Sequence, residues 1–501
     1  MWSTGVVFCV FILFFAVNGS KPNIVYILTD DQDIKLNSLD VQSKVKSMLI
    51  DEGLFFDNAF VTTPVCCPSR SSILTGKYTH NHQTYENGVP HGCNAPSWRQ
   101  LNEKKTVGYY MSMAGYKTGL FGKYLNNYAR PLSGMNASHI PPGWSKWFGL
   151  VGNSKFYNYS VSNDGVEEKH GDDYEKDYFT DVIKREAVKF IKDSTQENKP
   201  FFVYIGTPAP HRPATPAPQY NHTFDSHPAP RTPSYNYNST DKHWIISKGT
   251  PPMDGYTKTM VDTLYQDRLE TLLSVDDLVD EVVTTLQTAG VLDNTYIFYN
   301  SDHGYHLGQF KQQGEKRQPY EENIRVPLIV RGPGINSGKK TNRIALNIDI
   351  TPTFLDLAGF KVPEDIDGMS LKPVLLDSTN LWRDDFLIEY YGEGDPTTGL
   401  GCRGNRSPIT GDQLFLHDCN NNTWLAIRTI NSKQNDIYTK FYLTDDTPIA
   451  VENTYFHEYY DIKTDYWQVH NTYDDPTNKA MITQLNERVN KLYHCQGQSC
   501  H

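Results

Sequence analysis

The chain has 501 residues and a formal net charge of −11, with 38% hydrophobic and 13% aromatic residues. The apolar and aromatic content excludes an intrinsically disordered protein, and the acidic balance argues against broad attraction to nucleic acid or to anionic polymers. An anionic ligand would have to be drawn in by a local pocket.

The N-terminus, MWSTGVVFCVFILFFAVNGS, carries an apolar run from Val6 to Val17 and then Val17-Asn18-Gly19 as a small-residue cleavage site. The run fits a signal-peptide core and is short for a membrane span; the usual Lys or Arg ahead of it is missing, and an uncleaved anchor is the competing reading. The expectation is a signal peptide over 1–19, no membrane span after its cleavage, and a lysosomal or secreted destination. Six Asn-x-Ser/Thr sequons, at Asn136, Asn158, Asn221, Asn238, Asn405 and Asn421, fit that route.

PNIVYIL (22–28) reads as a buried strand ending at Thr29-Asp30-Asp31. PFFVYIG (200–206) ends at TPAPHRP, which opens a Pro-rich stretch (207–236) predicted to be an extended loop forming a lip over a pocket. Leu269, Leu272, Val275, Val279, Val282 and Leu286 recur at three- and four-residue steps, an amphipathic helix closed by Gly290. NTYIFYN (294–300) ends at SDHGYH, and VPLIVRG (326–332) follows. Apolar strands alternating with helical patterns predict an α/β fold with a mostly parallel sheet. After cleavage about 480 residues remain, enough for a large domain and a smaller one.

Three polar clusters thus follow the C-terminal ends of strands, where open α/β sheets form ligand sites. Asp30, Asp31, His211, Asp302 and His303 are expected to converge on one crevice. The hard carboxylate oxygens of Asp30, Asp31 and Asp302 suit Ca²⁺ or Mg²⁺.

The eight cysteines are 9, 66, 67, 93, 402, 419, 495 and 500. Cys9 would leave with the signal peptide, and seven is an odd number for an oxidising compartment. Cys402 with Cys419 and Cys495 with Cys500 are candidate local bridges. Neighbouring cysteines bridge each other only with strain, so one of Cys66 and Cys67 is the odd residue.

CCPSRSSILTG (66–76) resembles the Cys-x-Pro-Ser-Arg signature of the sulfatase family, with Cys66 leading. The resemblance implies an alkaline-phosphatase-like sandwich: a large mixed sheet flanked by helices over 20–378, and a smaller C-terminal α+β domain with an antiparallel sheet over 379–501. It implies that Cys66 is converted to formylglycine by the formylglycine-generating enzyme, which leaves six thiols. Asp30, Asp31, Asp302, His303 and the hydroxyl of hydrated formylglycine 66 would bind one Ca²⁺; that hydroxyl would attack sulfur, and the second would expel sulfate by elimination. Arg70 would steady the diol. GYKTGLFGKYLNNY (115–128) is similar to the second family signature, making Lys123 a sulfate ligand, while the family's frequent His two residues on is Leu125 here, followed by Asn126. His211 would bind sulfate and protonate the leaving oxygen, and Lys316 would be the second sulfate-binding lysine. His80 and His306 stay open between core, rim and substrate roles.

FGKYLN, DHGYHLGQF and KRQPYEENIRVPLIVRGPGI resemble the branch of the family acting on the 6-O-sulfate of N-acetylglucosamine in heparan or keratan sulfate, together with its extracellular endosulfatases. The chain lacks a Lys/Arg-rich insertion of the endosulfatase kind, which favours exo action on a terminal sugar. Segments 347–376 and 457–471 resemble the closing segment of the large domain and a strand-and-helix stretch of the small one. The rival readings are an arylsulfatase or exo-sulfatase of other sugar specificity, a phosphodiester or phosphonate hydrolase on the same scaffold, and a non-catalytic glycan-binding glycoprotein.

Overall fold

Strand Asn23–Thr29 (β1) is buried at every residue, so both of its faces need cover, which helices on either side of a parallel sheet provide. The computed structural model describes residues 21–378, 381–394, 402–403, 409, 418–443 and 448–501. In it β1 lies inside a ten-stranded sheet with Leu54–Phe60 (β2), Lys117–Gly122 (β3), Lys146–Leu150 (β4), Ser160–Asn163 (β5), Val166–Lys169 (β6), Phe201–Gly206 (β7), Thr295–Ser301 (β8), Leu328–Arg331 (β9) and Lys339–Leu346 (β10). The order is β10-β2-β9-β8-β1-β7-β3-β4-β5-β6. The run from β8 through β1, β7 and β3 to β4 is parallel, whereas β9 lies antiparallel between β8 and β2, and β5 and β6 form an antiparallel edge. The sheet is mixed and mostly parallel, as expected.

Alternation along β1 divides the core. Ile24, Tyr26 and Leu28 face a layer that includes Ile73 and Leu74 of helix Cys66–Thr75 and Phe354 of helix Ile350–Leu357. Val25 and Ile27 face Ile183 and Ile191 of helix Phe179–Gln196 and Leu272, Val275, Val279, Val282 and Leu286 of helix Gly255–Thr288. The long helix ends before Gly290 (φ +68°) as predicted, but starts at Gly255, where Asp254 caps the Thr257 amide at 2.8 Å. Its first turns carry too many polar residues for the apolar spacing to reveal.

A four-stranded antiparallel sheet follows, built from Asp385–Tyr390 (β11), Thr423–Ile430, Asn435–Tyr442 and Thr454–Asp461, with helix Lys479–Tyr493 packed on it. The two sheets share a core. Phe60 meets Phe386 at 5.0 Å between ring centroids, and the Glu389 amide donates to the Thr62 carbonyl at 2.8 Å. Segment 457–471 departs from the strand-and-helix expectation. The strand ends at Asp461 and no helix begins before the short 3-10 turn Pro476–Asn478 that leads into helix Lys479–Tyr493, because Asp465 accepts from the Val469 and His470 amides and so holds a turn.

Cys67 is bridged to Cys93 and Cys495 to Cys500, leaving Cys66 as a buried free thiol. Cys419 is disulfide-bonded, and Cys402 lies opposite it in a short antiparallel pair. Asn136, Asn158, Asn221 and Asn238 are exposed and Asn421 is half-buried. Asn405 and the expected signal peptide lie outside the described residues. Segment 207–236 is a loop without helix or strand. No helix among the described residues is long and apolar enough to cross a membrane.

Candidate active site

The crevice is assembled at the C-terminal ends of β1, β3, β7 and β8. After β1 the chain turns sharply: Asp31 takes φ +73°, a conformation that a non-glycine residue holds only when its surroundings enforce it. Two contacts do so. The Asp31 amide donates to Asp302 Oδ1 at 3.0 Å, and the Asp31 carbonyl accepts from Arg268 Nη2 at 2.7 Å. Arg268 also donates to the Pro210 carbonyl at 3.0 Å, tying the His211 loop to the same turn.

Lys123 follows the Gly122 that ends β3. A Cβ on Gly122 would lie 2.0 Å from the Gly206 carbonyl oxygen, so only glycine lets β3 and β7 meet there. The closeness allows the Lys123 amide to donate to that carbonyl at 2.9 Å and fixes where the lysine leaves the sheet.

Cys66 opens the helix Cys66–Thr75, whose N-cap, Val65, supplies no side-chain acceptor. Asn87 Oδ1 takes that role, accepting from the Cys67 amide at 2.9 Å. Ser69 Oγ donates to the Asp302 carbonyl and accepts from Asn347 Nδ2 at 2.9 Å, so the serine of the CPSR stretch locks the helix to the end of β8. Arg70 Nε donates to Asp302 Oδ2 at 2.8 Å, and its Nη1 donates to the Lys123 carbonyl at 3.1 Å.

Atoms of Asp30, Asp31, Cys66 and His303 that could ligate a metal all lie within 4.8 Å of one another. Lys123 Nζ donates to Asp30 Oδ2 at 2.7 Å, and Lys316 Nζ reaches both oxygens of Asp31 at 3.0 Å. His303 Nδ1 donates to the Gly304 carbonyl at 2.9 Å, which turns Nε2 toward Cys66 Sγ (3.3 Å) and Asp31 Oδ1 (3.3 Å). Asp302 Oδ1 is 3.7 Å from the same nitrogen and also accepts from the His303 amide. Among the described residues Asp30 Oδ1 is buried without a hydrogen-bond partner, and Arg70 Nη2 lies 3.6 Å from it.

That orphaned oxygen is the test of a metal: a carboxylate so placed is stabilised by a cation supplied from outside the chain. Four acids or acid equivalents with a fixed-tautomer imidazole fit a divalent ion, and the carboxylate oxygens favour a hard one. Electrostatics agrees. Burial opposes ionisation of Asp31, but Lys316, His211 and His303 outweigh it and hold its carboxyl at about 2. Burial likewise opposes a thiolate at Cys66, yet Lys123, Lys316 and His303 bring its pKa well below the ordinary thiol value. Position 66 is therefore built to carry negative charge. Burial pushes Asp302 up to about 6, and His303, despite burial, is raised to about 9 by Asp302 and Cys66, so a metal binding at Nε2 would have to displace its proton.

His211 stands half-buried at the opening, its Nδ1 donating to the Arg212 carbonyl. Asp30, Asp31, Cys66, Arg70, Lys123, Asp302, His303 and Lys316 thus come together in the crevice, and His211 is close enough to act on the charges of Asp30 and Asp31. Three contributors had no spacing or motif to announce them: Asn87, Arg268 and Ser154, whose hydroxyl donates to Asp30 Oδ2. Other candidates resolve to structural places. Leu125 is core, and the Asn126 carbonyl accepts from Asn94 Nδ2 at 2.7 Å. His306 is buried against Asn323 and pushed down to about 4 by burial. His80 joins Glu389 Oε1 (2.9 Å) to the Cys495 carbonyl (3.0 Å) and so fastens the small sheet and the C-terminus to the large one.

The chain is 41% identical over 499 residues to the N-acetylglucosamine-6-sulfatase of Homo sapiens, covering 98% of this chain and 88% of that one. It is 46% identical over 379 residues to an extracellular sulfatase SULF-1 homolog of Drosophila melanogaster, covering 74% of this chain and 33% of that protein. A solved structure of a protein in complex with its substrate D-glucosamine-2-N,6-O-disulfate superposes with a TM-score of 0.74 at 24% identity, over 95% of this chain and 98% of that one, and shares its fold. The Sulfatase family model matches residues 22–360, and the chain belongs to the sulfatase family.

Proposed function

We propose that this sulfatase removes the 6-O-sulfate of N-acetylglucosamine from heparan or keratan sulfate, acting at a terminal sugar. The carrying observation is Cys66 within a buried cluster with Asp30, Asp31 and His303, flanked by Lys123 and Lys316. The human relative's activity and the extended identity to it support the sugar assignment.

Asp30, Asp31, Asp302, His303 and residue 66 would hold one Ca²⁺, which when bound neutralises the carboxylates and leaves Lys123 and Lys316 to meet an anionic substrate. Residue 66, as hydrated formylglycine, would supply the attacking oxygen and, from its second hydroxyl, the electron pair that expels sulfate. Lys123 and Lys316, both buried, present their cations to the sulfate oxygens from opposite carboxylates, where a low dielectric strengthens them. Arg70, fixed by Asp302 and the Lys123 carbonyl, orients residue 66. His211, with Nδ1 engaged, has Nε2 left to carry a proton to the departing sugar oxygen. The formylglycine-generating enzyme would act on Cys66 during maturation. The catalytic domain would span 20–378 and the smaller domain 379–501, in a glycosylated chain destined for the lysosome or the exterior.

The test is sulfate release from N-acetylglucosamine-6-sulfate beside galactose-6-sulfate, an aryl sulfate and a phosphonate monoester. Selective turnover of the first supports the reading; equal or better turnover of another class refutes it.

A further inference from the structure

Two of the loops that carry the crevice, those after β1 and β7, also wall a second cavity of about 570 Å³, a size that accepts a small ligand. One wall is the turn after β1, continued through Lys35; another is the Pro-rich loop at Arg231; Arg325 and the pair Tyr466 and Trp467 complete it. Asp57 is the single acidic residue among those lining it, against three basic ones.

Lys35 is only 7% exposed, and its ammonium makes no hydrogen bond among the described residues. It lies 3.2 Å from the centroid of the Tyr466 ring and 4.5 Å from that of Trp467. Aromatic faces compensate a cation only in part, and a buried charge without a counterion is costly. Glu321 and Glu322 are close enough to feel Lys35, but Glu321 is already shared by Arg428 (2.9 Å) and Arg325 (3.5 Å), and burial raises the carboxyl of Glu322. Arg325 is anchored by the Asp57 carbonyl at 3.0 Å, and Arg231 by both oxygens of Asp262 at 2.8 and 2.6 Å. These cations are held in place before any ligand arrives. Tyr466 is 47% exposed, so its ring offers a flat apolar surface beside them.

We infer that this cavity is a non-reacting subsite for an anionic sugar, a sulfated or carboxylated pyranose that stacks on the exposed face of Tyr466 and sets its anion toward Arg325 and Arg231, within the field of the Lys35 ammonium buried behind the rings. The inference rests on the glycosaminoglycan reading above and deepens it: the enzyme would grip a chain at a sugar other than the one it desulfates.

The experiment compares wild type, Lys35→Met and Tyr466→Ala on N-acetylglucosamine-6-sulfate and on a heparan tetrasaccharide with that sugar at its non-reducing end. Both variants should keep kcat and KM for the monosaccharide within about twofold and raise KM for the tetrasaccharide by about fivefold or more, kcat unchanged. An unchanged tetrasaccharide KM, or an equal loss on both substrates, overturns the subsite. Binding of an N-sulfated tetrasaccharide lacking 6-O-sulfate, followed by Trp fluorescence, separates the two ideas. Weaker binding by Lys35→Met without turnover of any substrate sinks the catalytic reading alone, and turnover with Lys35-independent binding sinks the subsite alone. N-desulfated and carboxyl-reduced tetrasaccharides then tell which anion the subsite holds.

Discussion

Removal of the Asn87 side chain isolates how the nucleophile's helix is held. Asn87 Oδ1 is the acceptor for the Cys67 amide at 2.9 Å, while the Asn87 backbone is pinned independently: its amide donates to Glu393 Oε1 at 2.6 Å and its carbonyl accepts from Asn127 Nδ2 at 2.7 Å. Asn87→Ala therefore removes a helix-capping contact and little else. Such a contact contributes about 1 kcal/mol, and because Asn87 is half-buried, water replaces part of it. If the first turn sets the direction of residue 66, the loss appears in the barrier, where about 1.4 kcal/mol is tenfold in rate. We expect kcat on N-acetylglucosamine-6-sulfate to fall about 3–5-fold with KM within about twofold. Rates are normalised to formylglycine content, measured by peptide mass spectrometry, so that poor conversion is not mistaken for poor catalysis. A normalised kcat within about twofold of wild type would refute the positioning argument.

Chelation should abolish turnover and lower the melting temperature, with Ca²⁺ restoring both, since a ligand bound only by the folded state stabilises it. Asp31→Asn removes a proposed Ca²⁺ ligand and the partner of Lys316, and should leave a protein whose melting temperature no longer responds to Ca²⁺. Phe354 packs against Tyr26, Phe202 and Phe298 at 5.4, 5.5 and 4.8 Å between centroids, so Phe354→Ala should destabilise by about 3–5 kcal/mol, read as a drop in denaturant midpoint. His80 has a folded-state pKa above its ordinary value, because Glu389 outweighs the burial that opposes its charge. Its contribution to stability is thus full below about 6.5 and fades as pH rises through the raised value, so the stability difference between wild type and His80→Gln should shrink toward alkaline pH.

The strands that place the site were legible because they are apolar on both faces: 22–28, 200–206 and 294–300 each fall within one residue of β1, β7 and β8. The polar residues just beyond them were legible for the same reason, since a buried strand that stops at Asp-Asp or Asp-His signals a site. The edge strands were not. β10, KKTNRIAL, has an exposed, charged first half and joins the sheet only because β2 needs a partner. Asn87 and Arg268 were equally silent, because each acts through a backbone atom far along the chain and no local pattern records such a contact. Cys66 and Cys67 were reduced to an alternative by counting; geometry decided it, since Cys93 faces Cys67 with 5.9 Å between Cα atoms.

The proposed chemistry depends above all on what residue 66 becomes. The measurement that tests this most directly is a mass spectrum of the peptide containing Cys66, from protein made in cells with a secretory pathway. The predicted result is formylglycine at position 66 with Cys67 disulfide-linked to Cys93. A cysteine thiol retained at position 66 in protein that still releases sulfate would contradict the account.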